Sequence, residues 1–306
     1  MTNISPDKFR RVDKENEMSE FIARPKITYW SDSWRRFKKK KTALAALVVL
    51  SLLILLVIFG PMLSKYSFEQ VDSVAKNQGP SAAHWFGTDE LGRDIFTRIW
   101  VGGRVSIIIG LAGAFICAII GCIYGAVAAY VGGRVDTIMM RIIETLISLP
   151  YLLVVIIISL ALDSKSLGTM ILAMTITGWC ELARLVRGQL LSLKNQEFVI
   201  AAETLGVSTK NIILRHLLPN TMNVIIVSIS FSIPSFIFSE AFLSYLGIGI
   251  QAPMTSWGAM ASAAQQQFIF YPYQMVFPAL LIALTMLSFT LIGDGLRDAL
   301  DPQLRD

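Results

Sequence analysis

Residues 197–220 read EFVIAAETLGVSTKNIILRHLLPN, and they lie between two almost entirely apolar stretches. TMILAMTITGWCELARLV at 169–186 precedes them, and TMNVIIVSISFSIPSFIF at 221–238 follows. A helix of ~20 apolar residues crosses the ~30 Å hydrocarbon layer of a bilayer. Each flanking stretch is close to that length, so the pattern predicts two membrane spans joined by a compact, charged insert.

The whole chain has the composition of a membrane protein. Of its 306 residues 54% are hydrophobic and 16% charged, and the mean hydropathy is +0.58, too apolar for one soluble core. A backbone in lipid must satisfy its own hydrogen bonds, so we expect an all-α fold. Six apolar runs predict six transmembrane helices: Thr42–Met62, Val105–Val131, Ile142–Leu162, Leu167–Val186, Met222–Leu246 and Met275–Ile292. Within them, Pro150, Pro234 and Pro278 predict kinks.

Basic residues predict the orientation, because Lys and Arg in short flanking segments stay cytoplasmic. The first 41 residues contain twelve of them, whereas 249–274 contain none. Both termini are therefore expected in the cytoplasm, with residues 1–41 as a basic tail and 42–306 as the six-helix domain. Trp30, Trp34 and Phe37 share one face at helical spacing, which predicts an interfacial helix on a lipid surface rich in anionic headgroups. The first span is interpreted as an uncleaved anchor, since it is longer than a signal peptide's apolar core.

The sequence lacks the residues that several classes of protein need for their function. The two histidines, His84 and His216, are predicted on opposite sides of the membrane, and no phosphate-binding, metalloprotease or serine-hydrolase motif is present. We therefore expect no catalytic residue, no metal site and no cofactor. The cysteines, Cys117, Cys122 and Cys180, have no metal-ligand spacing. Nucleic-acid binding is disfavoured because no aromatic-basic platform accompanies the tail.

Few ionisable side chains fall inside the predicted spans. Glu181 and Arg184 are spaced i, i+3, so they are expected to pair on one helix face. Glu240 lies about two turns inside its span and is a candidate for the transport pathway. It can face a water-filled path and meet a cationic group of the cargo, or it can hydrogen-bond a neighbouring subunit.

The insert itself predicts a two-helix elbow. Residues 197–205 favour a helix, Gly206 is expected at its C-cap, and Ser208 is expected to cap a second helix that Pro219 ends. Ala201 and Ala202 give the first helix a small-residue face. Such an elbow can be gripped by another protein, or it can rest passively on lipid.

The insert resembles the EAA loop of ABC importer permeases, in the spacing Ala201-Ala202-x-x-x-Gly206 followed by Leu218-Pro219-Asn220. In that family the loop docks into a groove on a cytoplasmic ATPase. The sequence departs from the motif because Ile200 stands at the expected Glu and His216 at an aliphatic position. The resemblance assigns ATPase coupling, within a loop at 188–221, to Glu197, Ala201, Ala202, Glu203, Gly206, Ser208, Leu218 and Pro219.

Three further segments are similar to the dipeptide, oligopeptide and nickel permease family, and most to its C-type oligopeptide branch. They are HWFGTDELGRDIFTRIWVGGRVSI at 84–107, EAFLSYLGIGIQAPMTSWGAM at 240–260 and IGDGLRDALDP at 292–302. The resemblance implies a type I importer permease in a bacterial cell membrane, working by alternating access on oligopeptides. It also implies a homologous B-type permease subunit, two ATPases that use ATP and Mg, and an extracytoplasmic peptide-binding protein. A permease for nickel or another small nutrient and an ion-coupled secondary transporter are the alternatives.

The segment at 84–107 also predicts an element at the outer membrane interface. Gly87 and Gly92 can supply turns, and Asp94 can cap a short amphipathic helix. The resemblance implies that this region and the loop at 249–274 face the binding protein. The residues expected to do so are Asp89, Arg93, Asp94, Trp100 and Trp257, although Trp257 can instead be a membrane-interface anchor.

Overall fold

The computed structural model describes residues 29–162 and 166–301, and most of these residues are helical. Most of the basic tail and Arg305 lie outside this range. The helices are α1 (Tyr29–Lys39), α2 (Lys41–Leu63), α3 (Ile95–Val131), α4 (Gly133–Ile147), α5 (Tyr151–Ala161), α6 (Leu167–Gly178), α7 (Cys180–Lys194), α8 (Glu197–Thr204), α9 (Thr209–Asn211), α10 (Leu218–Tyr245), α11 (Trp257–Ala264) and α12 (Tyr273–Leu300). A π-helical turn, Ile212–Leu217, joins α9 to α10, and a 3₁₀ turn, Gln265–Gln267, follows α11.

Four continuous helices are long and apolar enough to cross a membrane: α2, α3, α12 and the run Thr209–Tyr245. The other two predicted spans are broken. The α4–α5 pair bends by 84° and the α6–α7 pair by 42°, and counting each pair as one span gives six. Pro150 therefore lies between two helices instead of kinking one. It is the N-cap of α5, and it disfavours helical geometry at Leu149. Pro234 and Pro278 lie inside continuous helices, as predicted.

An arginine compensates for a proline near the end of α2. Pro61 has no N–H to donate to the carbonyl one turn earlier, that of Val57. Arg104 of α3 donates from Nε to the Val57 oxygen at 2.8 Å and from Nη2 to the Ile58 oxygen at 2.7 Å. The guanidinium replaces the hydrogen bond that the Val57 carbonyl loses at Pro61, adds one to the Ile58 carbonyl, and joins α2 to α3.

Glycines allow α3 and α7 to pack closely. Gly121 and Gly125 lie on one face of α3, and a Cβ atom at Gly125 would overlap the Ala183 carbonyl of α7. Small residues at i and i+4 let two helix backbones approach, which is how membrane helices gain packing contact. The central core then forms among α3, α6 and α10, where Ile109, Met174 and Ile237 are fully buried.

The N-terminal helix α1 divides its aromatic residues between two environments. Trp30 and Trp34 are exposed, as expected for an interfacial helix. Phe37 is instead buried with Ala43 of α2 and Ala299 of α12. Trp34 and Phe37 do share a face, since their rings stack with centroids 5.6 Å apart. Phe37 is the buried member of this pair and attaches α1 to the helix bundle.

Candidate functional site

Residues 197–220, called here the two-helix segment, turn sharply after α8. Gly206 has a φ of +76°, which favours glycine, and nothing lies within 4 Å of where its Cβ would be. Its N–H donates to the Glu203 carbonyl at 3.0 Å, and the Val207 N–H donates to the Ala202 carbonyl at 3.1 Å. These two bonds form a Schellman motif, so the predicted glycine cap after α8 is confirmed.

The second half of the segment differs from the prediction at two positions. Ser208 takes the cap position of α9, but its side chain makes no capping hydrogen bond. Pro219 does not end the helix, which continues from Thr209 to Tyr245. A π-helical turn precedes Pro219 and widens the helix where the proline would lose its bond. The Asn220 amide then donates to the His216 carbonyl at 2.6 Å.

One face of the two-helix segment packs on the rest of the chain. Val199, Ala202, Ile212 and Leu217 are buried in a cluster with residues of α3 and α7. The predicted shared face of Ala201 and Ala202 is therefore wrong, since Ala201 is exposed while Ala202 belongs to the chain's own core. Among the other residues assigned to coupling, Glu197, Glu203 and Pro219 are exposed and Leu218 is half-buried.

The segment also exposes large apolar side chains. Phe198 is 42% exposed, Ile200 52% and Leu205 83%, and Leu214 on the following helix is 51% exposed. We call these four residues the apolar patch. Ile200 occupies the position where the family motif has Glu, so the departure from that motif adds to this apolar surface.

Two residues that the sequence did not single out fix the segment to the bundle. Tyr130, near the end of α3, accepts at its hydroxyl from Thr209 Oγ1 at 3.3 Å and donates to Glu203 Oε1 at 3.4 Å. Lys194, at the end of α7, donates to the Tyr130 carbonyl at 2.8 Å, and its ammonium lies 5.0 Å from the ring centroid. A tyrosine two residues before a glycine pair, Gly132-Gly133, at the end of an apolar run is the sequence feature that could have indicated Tyr130.

Residues 64–94, called here the loop lobe, are organised by polar bonds. The predicted turns at Gly87 and Gly92 are confirmed by φ values of +79° and +77°. Asp94 caps α3, accepting from the Thr97 backbone N–H at 2.9 Å and from its hydroxyl at 2.7 Å, and the other carboxylate oxygen lies 2.9 Å from His84 Nδ1. Asp89 accepts from Arg93 Nε at 2.6 Å.

The structure corrects the expected exposure of three residues in this region. The helix after Asp94 is the start of the 37-residue α3 and not a separate surface element. Trp100 is 4% exposed, Trp257 is fully buried, and Trp257 Nε1 donates to the Ile99 carbonyl at 2.7 Å. Asp94 is also buried. Asp89 and Arg93 are partly exposed, so of the five expected contacts only these two remain accessible.

Glu240 lies in neither of the two expected places. Its side chain is fully buried inside the chain, where Ser106 Oγ of α3 and Ser244 Oγ of α10 each donate to the carboxylate at 2.8 Å. The Trp257 N–H lies 3.3 Å from the same Ser106 oxygen. The carboxylate therefore joins α3, α10 and the start of α11 within one subunit.

Glu181 and Arg184 also depart from expectation. No ion pair joins them in the part of the chain that the structure describes, and both side chains are exposed. Both residues lie on α7, which begins at Cys180 after the α6–α7 bend, and Glu181 is in its first turn. Arg187, three residues further on than Arg184, forms the ion pair here, with Asp136 of α4 at 2.5 Å.

Comparison with known proteins identifies the family. Residues 118–306 match the model of the binding-protein-dependent transport system inner membrane component, and residues 28–80 match that of the N-terminal transmembrane domain of oligopeptide transport permease C. A dipeptide transport system permease protein of Bacillus subtilis is 50% identical over 99% of this chain and 95% of its own length. An oligopeptide transport system permease protein of the same organism is 47% identical over the full length of both chains. A glutathione transport system permease protein of Escherichia coli is 43% identical over 91% of this chain and 92% of its own. The chain therefore belongs to the family of inner membrane components of binding-protein-dependent transport systems.

Proposed function

We propose that this permease forms, with a homologous B-type subunit, the translocation path of an ATP-driven importer for peptides. Two cytoplasmic ATPases bind the apolar patch, and a peptide-binding protein delivers cargo on the other side of the membrane. ATP and Mg act in the ATPase subunits. The permease itself contributes shape and movement, and its spans open the path to one side at a time.

The observation that carries this proposal is the apolar patch. It exposes Phe198, Ile200 and Leu205 on one short helix and its cap, directly beside charged residues such as Glu203. Apolar anchors surrounded by polar residues are typical of protein interfaces. A groove on a partner protein would remove these side chains from water.

The route for movement follows from the contacts of the other face. The buried residues Val199, Ile212 and Leu217 pack against α3 and α7, and Tyr130 adds polar bonds to both arms of the segment. Because the run Thr209–Tyr245 is one continuous helix, a displacement of the segment acts directly on α10. Since α10 crosses the membrane beside the two broken helix pairs, its movement can open or close the translocation path.

The orientation rests on charge. Lys194 precedes the two-helix segment, and Lys210 and Arg215 lie within it, whereas 249–274 contain no basic residue. Basic flanking residues remain on the cytoplasmic side, which is the side where ATP is available. This places the loop lobe and α11 toward the binding protein, with Asp89 and Arg93 as its accessible charged residues.

The cargo assignment extends to this chain the cargo for which its relatives are named, namely dipeptides, oligopeptides and glutathione. It is tested by reconstituting the four membrane and ATPase subunits in proteoliposomes with the binding protein. We expect peptide accumulation that requires ATP and persists when the proton gradient is collapsed. Uptake that stops with the gradient while ATP remains high would favour an ion-coupled transporter, and uptake of nickel without peptide would favour the metal-nutrient alternative.

A further inference from the structure

A cavity of about 580 Å³ opens where the two broken helix pairs meet α10. Leu149 and Pro150 line it at the α4–α5 break, and Thr177 and Gly178 line it at the α6–α7 break. We call it the break cavity. Non-helical backbone at membrane depth is tolerated where it lines a cavity, and such breaks are common at transport sites.

A row of hydroxyl groups on α10 forms one wall of the break cavity. Ser228, Ser232, Ser235 and Ser239 follow at intervals of four, three and four residues, which places them on one helix face. Ser232 Oγ donates to the Ser228 carbonyl at 2.9 Å and Ser235 Oγ to the Phe231 carbonyl at 3.2 Å. Because the protons of Ser232 and Ser235 are used on the helix, the hydroxyl oxygens of these two residues remain able to accept from N–H groups.

Thr177 supplies an independent observation on the opposite wall. Its side chain is 9% exposed, and its Oγ1 has no hydrogen-bond partner among the described residues. A buried hydroxyl without a partner costs free energy. Such a group at a cavity wall indicates a ligand that completes its hydrogen bonding.

Glu181 adds a negative charge to the same cavity. It lines the cavity in the first turn of α7, and no ion pair to it is found in residues 29–162 and 166–301. The free carboxylate therefore suits a cationic group, and the hydroxyls suit successive amide N–H groups. Both are present in a peptide with a free N-terminus.

We propose that the break cavity is a cargo subsite, in which the α10 serines and Thr177 accept from peptide N–H groups and Glu181 binds the N-terminal ammonium. This inference rests on the proposed function, since it takes peptides as the cargo. It assigns contacts to the peptide backbone and terminus, which all peptides share. Side chains of different size are then accommodated without specific partners.

The test uses the complete reconstituted importer with saturating binding protein and compares a free-amine peptide with its N-acetylated form. A charge-assisted hydrogen bond contributes enough that Glu181→Gln should lower uptake of the free-amine peptide about tenfold relative to the acetylated one. Thr177→Val removes no hydrogen bond within the chain. It should therefore lower peptide uptake several-fold while thermal stability stays unchanged. Ser230→Ala is the matched control, because Ser230 lies on α10 outside the cavity and donates to the Ile226 carbonyl at 2.9 Å, and it should transport normally.

Occupancy is measured separately with Ser235→Cys in a chain whose native cysteines are replaced. Peptide delivered by the binding protein should slow maleimide labelling of this cysteine. The inference is overturned if wild-type importer takes up peptide but Thr177→Val transports equally well, Glu181→Gln affects both peptides alike, or cargo gives no protection. If the wild-type importer takes up no peptide, the proposed function fails and the inference fails with it.

Discussion

The two-helix segment and the loop lobe are similar in length but are stabilised by different interactions. In the loop lobe, Asp89 and Asp94 are bonded to Arg93, Thr97 and His84, so its charged groups are largely satisfied internally. The two-helix segment instead packs on the bundle by apolar contact and also exposes the apolar patch. The comparison teaches that the loop lobe is organised by its own polar bonds, whereas the two-helix segment is held in place mainly by apolar packing on α3 and α7.

The largest expected effect comes from charging the apolar patch. Ile200→Asp combined with Leu205→Asp should weaken ATPase association roughly hundredfold, about 3 kcal/mol, because two interface anchors would have to bury carboxylates. Insertion in the membrane should survive, since both residues are exposed. Copurification of tagged permease with the ATPases measures the loss. Val74→Asp is the control, because Val74 is 90% exposed in the loop lobe. If the double variant retained the ATPases, the apolar patch would not be the surface that binds them.

The next effect should appear in the loop lobe as lost stability. Asp94→Ala removes the cap of α3 and leaves the Thr97 and His84 donors unpaired in a buried place, at a cost of about 2 kcal/mol. Thermal unfolding of the purified complex should shift to lower temperature, while ATPase binding at the permitted temperature stays normal. Equal loss of ATPases and stability would show that the two regions are not separable.

Gly206→Val should act on the two-helix segment through backbone strain. Because the site has open space for a side chain, the cost is conformational, ~1 to 2 kcal/mol. Expression and binding-protein docking should stay near normal, while ATP hydrolysis becomes uncoupled from uptake. Gly188→Val in α7 is the matched control, since its Cβ position is also open but its φ is not positive. Normal coupling in Gly206→Val would remove the elbow from the mechanism.

The smallest effect is expected for Tyr130→Phe. The variant loses two long hydrogen bonds, at 3.3 and 3.4 Å, but keeps the ring beside Lys194. We expect a loss of about 0.5 kcal/mol, visible as a modest fall in peptide transported per ATP hydrolysed. A fall as large as that of Gly206→Val would mean that the polar contacts, and not the apolar ones, hold the segment.

The sequence was sufficient for the apolar spans and for the glycine cap, because both depend on local properties. Run length predicts spanning, and the spacing from α8 to Gly206 predicts a positive φ. Prolines were harder to interpret. Pro150 separates two helices that bend by 84°, whereas Pro219 lies in a continuous helix behind a π-helical turn. The difference depends on what packs around each proline, which a local pattern does not contain.

The sequence was also insufficient to predict which polar and aromatic residues are buried. Trp257 has the composition of an interface anchor, yet it is fully buried. The small residues after it, GAMASAA at 258–264, indicate close packing, and the burial of Trp257 could have been predicted from them. Glu240 is spaced i, i+4 from Ser244, which fits their hydrogen bond, but its bond to Ser106 crosses 134 positions of sequence. Contacts at that separation follow from tertiary packing.

The most direct test of the central claim is cross-linking from the apolar patch. Leu205→Cys, in the assembled importer with the native cysteines replaced, carries a short thiol-reactive photo-cross-linker, and Val74→Cys carries the same reagent as the control. The account predicts a cross-link from position 205 to an ATPase subunit and none from position 74, in complexes that still import peptide. Cross-linking to an ATPase from position 74, or none from position 205 in an active complex, would contradict it.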